Sequence, residues 1–400
     1  MVPELRKEFN SRFSHELYAK QIADLELRSG CKIEFRIAET PIFLSKEVAA
    51  RAGRLAEEIL ARSVTSELQL IGKTAIPDQW NFEGETKRPL FAAVDFAICG
   101  SRENPEFKLI ELQGFPSLYH YQAAFSESIK DTYDLPKYLV GLIYPEFGVD
   151  NYYQALKKAI VGDASAEDTV LLEIDPHNQK TKADFYLAKK HLGIEIADIT
   201  KVTSNGRELL FLDDSGKSRP IRRIYNRAIV DELVRKDITL NFDPRDEYDV
   251  EWAGHPNWYF RISKVLLPKL VGTNEAVPDA YYVSDVNMKD IDLSKFVLKP
   301  LYSFAGVGVN VEPTATDIEK IPVEERSKWL LQEKVEYAEV IYTPDGNGVR
   351  CELRVLLLWD EVTDSPKAMH TLNRLTRGKM VGVDFNKGLD WVGSSCSLVG

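Results

Sequence analysis

The stretch Lys295-Phe296-Val297-Leu298-Lys299-Pro300-Leu301-Tyr302-Ser303-Phe304-Ala305-Gly306-Val307-Gly308-Val309 decides how this chain is read. An apolar run closing on Lys299 predicts a β-strand with a cation at its end, and a second strand is predicted over residues 308–311. Between them lies a loop of small residues with Ser303, Gly306 and Gly308. Lysine is a compact positive charge suited to phosphate oxygens, and glycine lets backbone N–H groups approach those oxygens with no side chain in the way. The same residues also suit a plain hairpin whose lysine faces water. The motif is neither the nucleotide P-loop nor the dinucleotide fingerprint, because the residues after Gly308 fit neither.

Toward the C-terminus, residues 330–335 predict a strand whose polar end, Gln332, Glu333, Lys334 and Val335, is an edge able to offer groups to an adenine ring. Residues 351–359 predict another strand, with Glu352 and Arg354 ahead of its apolar run. Asn373-Arg374-Leu375-Thr376-Arg377 follows, then Asp384-Phe385-Asn386-Lys387-Gly388. Arg354 and Arg374 are the candidate catalytic cations, since a cation aimed at a transferring phosphoryl group stabilises its spreading charge. Each segment alone also reads as a surface strand end; their order carries the argument.

Toward the N-terminus, residues 91–98 and 107–113 predict two strands joined by the turn Ser101-Arg102-Glu103-Asn104-Pro105. A period of two places Glu111 and Gln113 on one face of the second strand, with Asp95 on the first. Two carboxylates and an amide oxygen form a hard oxygen site suited to Mg²⁺ shared with phosphates; the alternative is a half-exposed hairpin with polar residues facing water, and the lysines favour the metal.

Residues 169–174 predict a buried strand, residues 180–192 a helix stopped by Gly193, and Ile194 the start of another strand, together a parallel α/β unit. Residues 221–228 extend it. Ligands of such sheets gather at the C-terminal strand ends, and a helix start favours an anionic group. His177, Asn178 and Gln179 lie at one such end, and Tyr225, Asn226 and Arg227 at the next. They are candidate substrate contacts, with ordinary capping as the alternative. Residues 2–28 read as amphipathic helix. Ser45 reads as the cap of a helix whose inner face is Val48, Ala52, Leu55 and Ile59.

At 400 residues the chain calls for two or three subdomains rather than one core. The regions expected are residues 1–160 (helices plus the hairpin), 161–250 (the α/β unit) and 251–400 (the nucleotide-binding part), with the charged loop Asp243-Pro244-Arg245-Asp246-Glu247 near the second boundary. The net charge of -11 argues against a nucleic-acid partner, which draws on a basic surface. No stretch nears the roughly 20 apolar residues of a membrane span, and Met1 to Arg6 lacks a signal-peptide core. Four scattered cysteines, Cys31, Cys99, Cys351 and Cys396, fit a reduced cytoplasmic chain.

The order of these segments resembles the ATP-grasp superfamily, and most closely its circularly permuted group that includes glutathionylspermidine synthase. Three stretches carry the resemblance. Asn257-Trp258-Tyr259-Phe260-Arg261-Ile262-Ser263-Lys264 is similar to the family's first ATP lysine. Lys299 with its glycine loop is similar to the second. Val94-Asp95-Phe96 with Leu109-Ile110-Glu111-Leu112-Gln113 is similar to the metal-binding hairpin, here ahead of the lysines. The resemblance implies an α/β (α+β) fold of ATP-grasp type and an ATP- and Mg²⁺-dependent carboxylate–amine ligase working through an acylphosphate. Lys264, Lys299 and the loop would hold ATP, and Asp95, Glu111 and Gln113 the metal. Its substrates would be a small-molecule or peptide carboxylate and an amine. Two residues depart from the family: Gln113 stands where it has Asn, and Ala93 where it has Arg. A catalytically silent nucleotide or peptide binder and a kinase-like transferase are the alternatives.

Overall fold

The hairpin forms from strands Phe91–Gly100 and Pro105–Gln113, in a computed structural model that describes residues 1–213, 215–302, 308–378 and 380–400. The first strand is buried along nearly its whole length because it is interior. Its other edge pairs antiparallel with Gly348–Asp360, which pairs in turn with Ser365–Thr376. A short strand, Gly393–Ser395, closes this six-stranded sheet, and Glu339–Tyr342 also joins Gly348–Asp360. The sheet thus unites strands from the first and third sequence regions.

Strand alternation gives the sheet two different faces. Val94, Phe96, Leu353, Val355, Leu357 and Leu375 enter an apolar cluster with Ala52, Leu55 and Ile59 of helix Lys46–Ser63. Ser45 caps that helix, its hydroxyl accepting from the Val48 N–H at 3.3 Å. On the other face Ala93 and Leu356 pack with Phe91, Tyr119, Tyr152 and Tyr225. That second cluster joins the sheet to the α/β unit.

The α/β unit has strands Thr169–Glu173, Glu195–Asp198, Arg223–Asn226 and Glu251–Ala253, all parallel. Helix Lys182–Leu192 crosses over between the first two and stops at Gly193, whose φ of 75° is the left-handed conformation expected of a stop residue. An antiparallel meander, Thr203–Asn205, Glu208–Leu212 and Ser218–Pro220, is inserted before the third strand.

The third sheet corrects two expectations. Trp329–Glu333 is its central strand, not an edge: Ala280–Tyr282 lies on one side and Phe296–Pro300 on the other. The strand expected over residues 308–311 is reduced to a single bridge, Leu298 with Asn310, because Gly308 turns the chain at φ 75°. The helix expected over residues 2–28 is two helices, Pro3–Arg12 and His15–Ser29, broken where Ser14 caps the second. Ile42–Leu44 pairs in parallel with Ser397–Val399. The four cysteines are free, and no helix among the described residues is long and apolar enough to cross a membrane.

Candidate active site

Register builds the site. Asp95 stands opposite Arg354 on one side and Glu111 on the other. Glu352 stands opposite Arg374. Residues directly across strands share a face, as do residues two apart along one strand. Asp95, Glu111, Gln113, Glu352, Arg354 and Arg374 therefore lie on a single face of the large sheet.

The carboxylate of Asp95 is fully buried. It receives Arg354 bidentately, Nε to Oδ1 at 2.6 Å and Nη2 to Oδ2 at 2.7 Å, and Arg374 Nη2 to Oδ2 at 2.6 Å. Burial alone would raise this carboxyl, but the two guanidiniums outweigh it and hold it below the usual range. Arg374 also pairs with Glu352, which accepts from the Tyr337 hydroxyl at 3.0 Å. Burial pushes the Glu352 carboxyl up. Arg354 reaches the Ser117 hydroxyl at 3.3 Å, in the turn after Gln113.

A bulge brings the lysine strand to the hairpin. Between Asp95 opposite Glu111 and Phe96 opposite Leu109, Ile110 is left as the extra residue. The Ile110 carbonyl accepts from Lys299 Nζ at 3.4 Å, and Gln332 donates to the neighbouring Leu109 carbonyl at 2.8 Å. Lys299 also donates to Gln332 Oε1 at 2.5 Å. Burial and the nearby Lys264 push the Lys299 ammonium down to about 8 against the pull of Glu111 and Glu352. Lys264, buried at the start of a short helical segment, is likewise lowered by burial and raised by Glu111 and Asp231.

Glu111 and Gln113 are half-buried neighbours, with 3.3 Å from the amide nitrogen to the carboxylate. Mg²⁺ in phosphate-transfer sites needs only one or two protein carboxylates beside phosphates and water, so these two fit it. Asp95, with both oxygens taken by guanidiniums, does not in this arrangement. No cluster of three or more His, Cys, Asp or Glu suited to a metal occurs among the described residues.

The remaining candidates fall in separate places. Glu333 and Lys334 use their backbone N–H groups on Asp279 O and Lys295 O, and Val335 is half-buried in the loop beyond. Gly308 is described, while Ser303 and Gly306 lie outside the described residues. Arg227 is buried and paired with Asp184 at 2.5 Å, and its guanidinium lies 5.9 Å from the Phe115 ring, just past Gln113. Tyr225 is buried beside it. The turn 177–179 is more open: His177 meets the Tyr186 hydroxyl at 2.9 Å, Asn178 bonds Asp175, and Gln179 donates to Ile174 O at 2.8 Å. A cavity of about 450 Å³ opens elsewhere, lined by Phe147, Lys158, Arg223, Glu251, Trp359 and Lys367 among others, and none of the candidates lines it.

Sequence reasoning missed Ser117, Asp184 and Tyr337, and gave Glu352 no site role although its spacing of two from Arg354 marks it for the same face.

No family model matches the chain, and no curated protein matches it in sequence. Among solved structures it is similar to a glutathione synthetase-like effector from Globodera pallida in its apo form, with a TM-score of 0.56 and 11% identity over 97% of each chain. That likeness is one of fold. A putative gamma-glutamylcysteine synthetase from Methylobacillus flagellatus aligns at a TM-score of 0.38 and 12% identity, over 87% of this chain and 86% of its own. A score that low carries no argument.

Proposed function

We propose that the chain is an ATP-dependent carboxylate–amine ligase of ATP-grasp type, with its metal hairpin ahead of its ATP lysines. The observation that carries this reading is the meeting of Lys299 with the Glu111 hairpin, directly at the Ile110 carbonyl and through Gln332 at the Leu109 carbonyl, on a sheet whose same face holds two guanidiniums. The fold shared with a glutathione synthetase-like protein supports it.

Lys264 and Lys299 bind the ATP phosphates; Ser303 and Gly306 lie outside the described residues. Gln332 orients Lys299, and the 333–335 connection borders the adenine. Glu111 and Gln113 would hold Mg²⁺, which would supply positive charge to neutralise the phosphates. A substrate carboxylate oxygen attacks the γ-phosphorus; the bond to the β-phosphate oxygen breaks, and ADP leaves an acylphosphate. The amine nitrogen then attacks the acyl carbon, the carbon–oxygen bond to phosphate breaks, and the nitrogen loses a proton to the medium. Arg374 stabilises the charge that spreads over the moving phosphoryl group. Tyr225, Arg227 and the 177–179 turn are the acceptor side.

A specific observation favours a second reading, a silent nucleotide or peptide binder: Asp95 is closed by two guanidiniums, and Ala93 lacks the family's arginine. One experiment separates them. Purified protein with Mg²⁺ and ATP is given amino acids or short peptides as carboxylates, then amino acids or polyamines as amines. ADP and inorganic phosphate appearing together, only with both substrates, supports the ligase. ATP binding without ADP supports the silent binder, and ADP with a stable phosphorylated product makes the chain kinase-like.

A further inference from the structure

The family resemblance places Asp95 with the metal, yet this carboxylate is fully buried and closed in on the sheet face. Three of its roughly four acceptor positions are filled, two by Arg354 and one by Arg374. A dication bound to either oxygen would stand beside both guanidiniums, in a buried place where the repulsion is weakly screened. Glu111 sits one strand away and half-buried, with no arginine pairing bidentately with it among the described residues and the Gln113 side chain beside it.

Position 93 completes the argument. Ala93 is 1% exposed and packs among Phe91, Tyr119 and Leu356, so this spot is apolar and has no space for a guanidinium. Arg354 lies two residues from the partner of Ala93, on the adjacent strand and the same face: Leu356 pairs with Ala93, and Arg354 with Asp95. Its Nη1 extends past Asp95 to Ser117, in the turn that follows the metal strand. A guanidinium absent from one strand is thus present on its neighbour, and Asp95 is the group that fixes its angle.

Resting on the ligase reading, we propose that Asp95 is a positioning residue and not a metal ligand. It clamps Arg354 and Arg374 into a rigid pair of cations beside the phosphates, leaves Mg²⁺ to Glu111 and Gln113, and makes Arg354 the substitute for the arginine missing at 93. The fork geometry matters, because only a guanidinium can take a carboxylate bidentately.

Mn²⁺ is the probe, titrated into the protein saturated with a non-hydrolysable ATP analogue and followed by the electron paramagnetic resonance signal of free Mn²⁺. Asp95→Asn should bind Mn²⁺ within about twofold of wild type, while Glu111→Gln weakens it at least tenfold. Because Asp95→Asn leaves two cations without their carboxylate and is at risk of misfolding, Arg354→Lys is measured beside it. That variant keeps the charge and loses the fork; it should retain Mn²⁺ affinity and KM for ATP while kcat falls at least tenfold. A tenfold loss of Mn²⁺ affinity in Asp95→Asn makes Asp95 a ligand and overturns the proposal while leaving the ligase reading intact. Wild-type kcat in Arg354→Lys overturns the positioning role. If the wild-type complex binds no Mn²⁺ at all, the ligase reading itself falls, and this proposal with it.

Discussion

Lys299 donates to Gln332 Oε1 at 2.5 Å, and Gln332 passes the contact on by donating to the Leu109 carbonyl at 2.8 Å. The two side chains come from neighbouring antiparallel strands, Phe296–Pro300 and Trp329–Glu333. One amide group therefore locks an otherwise flexible lysine against the hairpin. A lysine held this way carries its positive charge at a fixed point, which is what a phosphate site requires.

Replacing Lys299 with Met should weaken ATP binding at least tenfold, since one hydrogen bond to a charged group contributes about 1.5–3 kcal/mol. The wild-type affinity should also depend on pH. The ammonium is pushed down to about 8, so its charge is lost as pH rises through that value, and affinity should fall about tenfold between pH 7 and 9 by the proton linkage. Lys299→Met should show a shallower profile, since Lys264, also lowered by burial, remains. Calorimetric titration at several pH values measures both, and an ATP affinity equal in the two proteins removes Lys299 from the site.

Gln332→Leu tests the orienting amide. It takes from the Lys299 ammonium its shorter acceptor, leaving the Ile110 carbonyl at 3.4 Å, and from the Leu109 carbonyl its donor, in a place where Gln332 is buried. Stability should drop by about 1–3 kcal/mol for the unsatisfied groups, and ATP affinity should fall severalfold while the lysine itself is intact. Urea unfolding and nucleotide titration of the same sample give the two numbers; an affinity loss as large as that of Lys299→Met would mean that Gln332 touches the nucleotide directly.

The hairpin and the lysine strand were legible because both are apolar runs bounded by turn residues, and a period of two then assigns faces. The parallel unit was legible from its helix, which ends at Gly193 as a stop residue should. The partners of Asp95 were not, since Arg354 and Arg374 lie 259 and 279 residues away, and no local pattern states which strands become neighbours. The long strand Ser365–Thr376 went unread because its chemistry-bearing residues, Asn373 and Arg374, stand at its end. The edge expected at residues 330–335 proved central, because the strand Ala280–Tyr282 that covers it is only three residues long, too short to register as a strand in the sequence.

Asp184, paired with Arg227 inside the parallel unit, also joins that unit to helix Tyr119–Thr132. Asp184, on helix Lys182–Leu192, accepts from Arg227 and also from the Tyr121 N–H at 2.9 Å, near the start of helix Tyr119–Thr132. Asp184→Ala removes a carboxylate that is fully buried and strands the guanidinium, so it should cost about 3–5 kcal/mol. Chemical denaturation with circular dichroism checks this. A loss below about 1 kcal/mol would show that Arg227 finds another partner, and the adjacent acceptor region would then have to be mobile.

Glu173 closes the strand Thr169–Glu173 just before the 175–179 turn, and burial pushes its carboxyl up to about 8. The unfolded chain ionises it near the ordinary value of about 4.3. Between those two values the folded state holds a proton that the unfolded state has released. The contribution of this group is therefore fully present below about pH 4 and is lost as pH rises through about 8, with a slope of at most ~1.4 kcal/mol per pH unit. Glu173→Gln keeps the shape and removes the titration. The variant should match wild type near pH 5 more closely than at pH 8, where it should be the more stable by at least about 1 kcal/mol. Urea unfolding of both proteins at pH 5, 6.5 and 8 reads the difference directly. Parallel stability curves for the two proteins would show that Glu173 is already ionised in the folded state, with Arg227 in place of a proton as its partner.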